Sequence, residues 1–151
     1  MRSMATAIET YLVDHDVYPP CDPNNNLFTK AATQTASSTQ ISGAPGTADQ
    51  KIYTFTGPQL TTPIAYMTSY FPDEFASQNL TYSYYTAVAK DESGQPVSGW
   101  ILLSPGPDGK YNIDPKIYDP SKAQPTDEII AQMYNATNGT ISAGDIVRVK
   151  Q

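Results

Sequence analysis

Along residues 1–16 the apolar side chains return every three or four positions. Met1, Met4, Ile8, Tyr11, Leu12 and His15 share one face, and Arg2, Thr6, Glu9 and Asp16 share the other. That spacing predicts an amphipathic helix. The pattern is already running at the first residue, with no Ser, Thr, Asp or Asn ahead of it to satisfy the free N–H groups of the first turn. A helix of about 16 residues is also marginal alone, so the segment is expected to be the lower part of a longer, truncated helix, residues 1–18 in all. Tyr18-Pro19-Pro20 ends it, because proline disfavours helical geometry before it and cannot continue the hydrogen-bond ladder.

Residues 21–50 turn to Asn, Thr, Ser, Ala and Gly without any sustained period, which predicts a long polar loop. Lys51–Thr56 reads as a short strand. Thr62-Pro63 followed by Ile64, Met67 and Phe71 predicts a short helix with proline in its first turn. Phe71-Pro72-Asp73-Glu74-Phe75 is a turn between aromatics.

The clearest strand signal comes next. Leu80, Tyr82, Tyr84 and Val88 alternate with Tyr85, Ala87 and Ala89. Val97–Leu103, with Trp100, returns after the polar Lys90–Pro96 connection, and the two runs predict an antiparallel hairpin with a loop longer than the tight two-residue types. Ser104–Gly109 must be irregular, Tyr111–Ile113 reads as a brief strand, and Thr126-Asp127-Glu128 opens a short helix carrying Ile129, Ile130 and Met133. Ile141–Val149 closes the chain as an edge or returning strand. The fold class expected is α+β: the amphipathic helix packed on a small antiparallel sheet of three to five strands, with long loops, residues 1–151 forming one domain with the sheet and C-terminal region in 51–151. Trp100, Leu102, Tyr82 and Tyr84 are expected to face or flank the helix.

Composition sharpens this picture. Of 151 residues, 39% are hydrophobic and only 16% charged, with 13 prolines and 9 glycines; both fractions lie below globular averages, so uncharged polar side chains dominate and a loop-rich domain fits better than a helical bundle. A net charge of −6 argues against a nucleic-acid binder, which needs Lys and Arg to displace counterions, and against an anionic membrane surface. Cys21 is the single cysteine, which rules out an internal disulfide and a thiolate-rich zinc site; an inert thiol and an intermolecular disulfide are its two readings. His15 is the single histidine and has no nucleophile and orienting acid marked beside it, so His-based triads are closed off. Among 15 acidic residues no pair stands out for glycoside hydrolysis, and the 11 tyrosines fall at strand or helix spacing, where they build core more often than sugar-stacking surfaces. No apolar run approaches the roughly 20 residues that span a bilayer, and no signal peptide is visible.

Three segments together resemble one family. Met1–Pro20 carries Tyr11, Asp14, Tyr18 and Pro19 where major pseudopilins of type II secretion systems, members of the type IV pilin-like superfamily, show a helical Tyr followed by Asp-x-x-x-Tyr-Pro. Phe71–Phe75 looks like that family's Pro-x-Asp-Pro-Trp/Phe turn, with Asp73-Glu74 replacing Asp-Pro. Trp100–Gly109, WILLSPGPDG, looks like its strand ending in a Ser-x-Gly-x-Asp-Gly loop. Beyond Gly109 the family's closely spaced acids give way to a longer insertion with Asp114, Asp119, Asp127 and Asp145, and the tail YNATNGTISAGDIVRV suggests a divergent pilin-like branch.

The resemblance implies a pilin-like fold and a structural, non-enzymatic role. The hydrophobic N-terminal helix, processed by a prepilin peptidase and methylated, would anchor the subunit in the bacterial inner membrane, with the soluble head in the periplasm. Partners would be copies of the chain, other pilin-like subunits and the secretion machinery, not nucleic acid. It further implies Ca²⁺ in the loop after the last core strand, with Asp108 as the best match, the carbonyls of Leu103 and Ser104 as main-chain donors, and Asp114 and Asp145 completing a shell of six to eight oxygens. The residues alone leave Pro105–Gly109 equally readable as a tight turn supported by Asp108. Two other roles stay open: a type IV or minor pilin, and a periplasmic or surface Ca²⁺-dependent glycan-binding module.

Overall fold

The computed structural model describes residues 1–21, 59–76, 81–139 and 143–150. The strand expected at Lys51–Thr56 and the polar stretch 22–50 lie outside them, as does Leu80.

Helix α1 spans Arg2–His15. No side chain caps its first turn, and its last turn closes on Asp16, whose backbone is left-handed (φ 57°) and whose N–H bonds to the Leu12 carbonyl at 2.8 Å. The chain therefore leaves the helix at Asp16, two residues before Tyr18-Pro19-Pro20; a short polar residue tolerates the left-handed conformation that such an ending needs. Met4, Ala5, Ala7 and Ile8 are buried, Tyr11 and Leu12 pack at the margin, and His15 is exposed. Glu9, expected on the outer face, is half-buried instead, because the Trp100 indole N–H donates to its Oε1 at 2.6 Å.

Among the described residues the sheet has three antiparallel strands in the order β1 (Ser83–Lys90), β2 (Pro96–Ser104), β3 (Ile146–Val149). β1 and β2 form the expected hairpin, in register from Ser83↔Leu103 to Lys90↔Pro96. Asp91 organises the connection: its Oδ1 accepts the N–H groups of Ser93 and Gln95, both at 2.8 Å. β3 returns along the other side of β2, Ile101↔Val149 to Ser104↔Ile146. The α+β class is as expected, and no helix among the described residues is long and apolar enough to cross a membrane.

Because side chains alternate across a strand, the register divides the interior in two. Tyr84, Trp100 and Leu102 join Met4, Ala5, Ala7 and Ile8 of α1 on one face, with Tyr18, Leu60, Met67 and Tyr70 around them. Ile101 and Leu103 face the other way, against Ile113, Tyr118 and Ile129, with Tyr85, Val147 and Val149 packed alongside. The second layer is built from a 3₁₀ turn at Pro115–Ile117 and helix α2, Asp127–Ala131, whose Thr126 hydroxyl accepts the Ile129 N–H at 3.4 Å. Gly99 marks how tightly this layer seats: a β-carbon there would collide with the Tyr118 hydroxyl and come within 2.8 Å of Pro120 Cβ. Tyr82, Tyr84, Trp100 and Leu102 thus lie on the helix side, as expected, while a full second core covers the reverse face.

Two expected elements are absent. Residues 59–70 form turns rather than a helix; the Met67 N–H returns to the Leu60 carbonyl (3.1 Å) and the Leu60 N–H to the Tyr70 hydroxyl (3.4 Å), so Leu60, Met67 and Tyr70 are buried by a folded loop. Tyr111–Ile113 is irregular rather than a strand, because the N–H groups of Asn112 and Ile113 are taken by the Asp145 carboxylate instead of a neighbouring strand.

Candidate functional site

The acids expected to hold calcium fall into different roles. Asp145 is fully buried. The Asn112 N–H donates to both of its carboxylate oxygens at 3.0 Å, and the Ile113 N–H to Oδ2 at 2.9 Å. Its main chain also binds the end of α2: its N–H donates to the Gln132 carbonyl (3.0 Å), and its carbonyl accepts from Tyr134 (2.8 Å). Gly144 lets the chain enter this crossing at φ 125°, where a β-carbon would come within 2.8 Å of the Met133 carbonyl. Burial raises the Asp145 pKa to about 6, against the opposing pull of the Ile113 and Asn112 N–H groups, with the Asp108 charge adding to the rise.

Asp108 is near enough to influence Asp145, and its own Oδ1 accepts the Lys110 N–H at 3.1 Å. Asp114 is exposed and caps the 3₁₀ turn, accepting the Lys116 N–H at 3.0 Å. Leu103 is paired on both sides within the sheet and Ser104 is in register with Ile146, so their main chains lie at the end of the ladder, on the same strand that feeds the Asp108 loop. Among the described residues no group of three or more His, Cys, Asp or Glu stands ready to hold a metal. The residues fit a calcium ion in part: Asp108 and main-chain carbonyls could hold it, whereas Asp114 is engaged in capping the 3₁₀ turn and Asp145 already accepts the Asn112 and Ile113 N–H groups.

A second locus lies at the opening turn of α1. A cleft of about 630 Å³ separates the Phe71–Phe75 turn from the end of β2, with Met1 and Ser3 on its helix side. Asp73 lines it and is only 3% exposed. Its Oδ1 accepts the Ser104 hydroxyl (2.9 Å) and the Phe75 N–H (3.1 Å), whereas Oδ2 has no hydrogen-bond partner among the described residues. Burial raises the Asp73 pKa, opposed first by the Ser104 bond. At the rim Phe71 and Phe75 remain 46% and 42% exposed. Only the Phe71–Phe75 turn was legible beforehand; the meeting of Asp73 with Ser104, 31 residues away, was not.

The third locus is the junction of α1 with the sheet. Tyr84 donates its hydroxyl to the Pro19 carbonyl at 2.8 Å, Tyr66 donates to Asp14 Oδ2 at 2.9 Å, and the Tyr11 ring stacks on His15 at 4.1 Å. Tyr18 is buried, with its hydroxyl 3.4 Å from both Glu9 oxygens. Cys21 follows, half-buried against β1, where its sulfur accepts the Thr86 N–H at 3.4 Å. His15 is thus a ring-stacking residue at a helix end.

Compared with known proteins, the chain matches no family model, no curated protein and no solved structure.

Proposed function

We propose that this chain is the head of a pseudopilin, a subunit that assembles into a periplasmic filament for type II secretion rather than turning over a substrate; pilin-like is the finer fold description that goes with this reading. The observation that carries it is the junction just described. Of the residues of the family resemblance, Tyr11 and Asp14 hold the end of α1 to Tyr66 of the 59–70 loop, Pro19 accepts the hydroxyl of Tyr84 on β1, and Tyr18 is buried in the core between helix and sheet with its hydroxyl near Glu9. Glu9 adds a charge-assisted bond to Trp100 from the middle of the helix. A helix fastened in this way along its length and at its end moves with the head, as a stalk in a filament must. Copies of the chain and other pilin-like subunits are the partners in this reading, and the inner membrane holds the anchor.

The test is the complete reading frame expressed in a bacterium with a type II system. We expect a Gly–Phe-Thr-Leu-x-Glu start followed by about 20 apolar residues, a membrane-bound product shortened by the prepilin peptidase, and short filaments by electron microscopy. A frame that opens at Met1 with no apolar extension would sink the proposal.

Calcium at Asp108 accompanies this reading as a separable part. Millimolar CaCl₂ is expected to raise the melting temperature by several degrees, since a ligand at 100 times its Kd stabilises by about 2.7 kcal/mol, and Asp108→Ala is expected to abolish the rise. An unchanged melt removes the metal and leaves filament assembly standing.

A further inference from the structure

We propose that the cleft between the Phe71–Phe75 turn and the end of β2 receives an arginine side chain of a partner protein, its guanidinium on Asp73 and its flanks on Phe71 and Phe75. The starting point is a buried carboxylate that is only half satisfied. Oδ1 of Asp73 already holds two donors, while Oδ2 has none among the described residues and Asp73 lines an open cleft. A charge taken out of water without a partner is costly, and no positive group among the described residues occupies Oδ2. Arg148, opposite Leu102 on β3, does not line the cleft, and its Nε has no hydrogen-bond partner among the described residues.

The rim selects the ligand. Phe71 and Phe75 are large apolar side chains left nearly half exposed beside Glu74, a second acid also open to solvent. Aromatic faces next to a carboxylate suit a cation with a flat, weakly hydrated head and an apolar stem. Arginine meets that description better than lysine, whose compact ammonium holds its water more tightly. A small inorganic cation would leave the two rings without a role. The inference does not rest on filament assembly, since Phe71, Asp73, Phe75 and Ser104 all belong to one chain.

The experiment is a titration of the isotope-labelled 151-residue chain with acetyl-Gly-Arg-Gly-amide at neutral pH, followed by amide chemical shifts. Saturable shifts are expected at Phe75 and Ser104, with a Kd in the millimolar range. The citrulline peptide, equal in shape but neutral, should bind at least tenfold more weakly. Asp73→Asn keeps an acceptor for Ser104 and Phe75 and should lower affinity for the arginine peptide at least tenfold. Phe75→Ala, which alters only a rim side chain, should lower it severalfold; should Asp73→Asn fail to fold, this variant and the citrulline peptide decide the matter. Equal response to citrulline, no saturable shift, or the same shifts produced by CaCl₂ alone would overturn the proposal.

Discussion

Asp145→Ala is expected to lower the unfolding free energy by about 3 kcal/mol, read as a fall in the urea midpoint at unchanged slope. The substitution deletes the acceptor that two main-chain N–H groups, those of Asn112 and Ile113, have among the described residues. The Ile113 donor is buried and the Asn112 donor part-buried, and a buried donor left unpaired costs about 1–3 kcal/mol. Asp145→Asn retains one oxygen that can accept from both and is expected to cost about 1 kcal/mol. The pair of variants thereby separates loss of the acceptor from loss of the charge.

The same residue sets a pH dependence whose sign is definite. The pKa of Asp145 is about 6 in the folded chain, above the roughly 3.9 of an unfolded aspartate. The folded state therefore holds the proton more tightly, and stability falls as pH rises through the window between those values. Its size is on the order of 2 kcal/mol. Wild type should melt at higher urea at pH 5 than at pH 7.5, and Asp145→Asn should lose most of that difference. Asp73, shifted in the same direction by burial, leaves a remainder of the same sign. A midpoint that rises from pH 5 to 7.5 in wild type but not in Asp145→Asn would refute the assignment.

The second large effect is expected at the helix. Ile8 is fully buried between α1 and the sheet, whereas Val13, on the same helix, is 78% exposed. Ile8→Ala should destabilise by about 3 kcal/mol, the transfer cost of the deleted methyls plus the cavity they leave. Val13→Ala, which empties nothing, should change stability by less than about 0.5 kcal/mol. The two are measured in parallel by urea denaturation followed at a helical circular-dichroism wavelength. Equal costs would mean that α1 is not held to the sheet through this face.

Much of the frame was legible because periodicity reports burial. The alternation in β1 assigned Tyr82 and Tyr84 to the helix side, and the three- and four-residue spacing in α1 found Met4 and Ile8. The second core was not legible, for a physical reason. Trp100 and Leu102 were assigned to the helix side, but Trp100-Ile101-Leu102-Leu103 is apolar without a break, and such a run does not say that Ile101 and Leu103 meet a second layer rather than solvent. Glu9 escaped for the opposite reason. A carboxylate at helical spacing reads as solvent-facing until its partner is known, and that partner, Trp100, lies 91 residues away.

The acids show where sequence reading of a site stops. Asp108, Asp114 and Asp145 were grouped by residue type and by resemblance. Asp114 proved to cap a turn and Asp145 to clamp a loop. Both roles depend on main-chain N–H groups, which every residue but proline possesses, so no letter in the sequence advertises them. The Asp73 cleft depends likewise on a fold that brings the end of β2 against the aromatic turn.

The bond from Trp100 to Glu9 has one practical consequence. Trp100 is the chain's single tryptophan, 2% exposed, and its indole nitrogen is tied directly to α1. Its emission is thus a built-in optical gauge of whether α1 is seated: shifted to the blue while the indole is sheltered, and to the red once the helix lifts and admits water. No dye or label is needed to follow that event, and the reading comes from one address in the molecule.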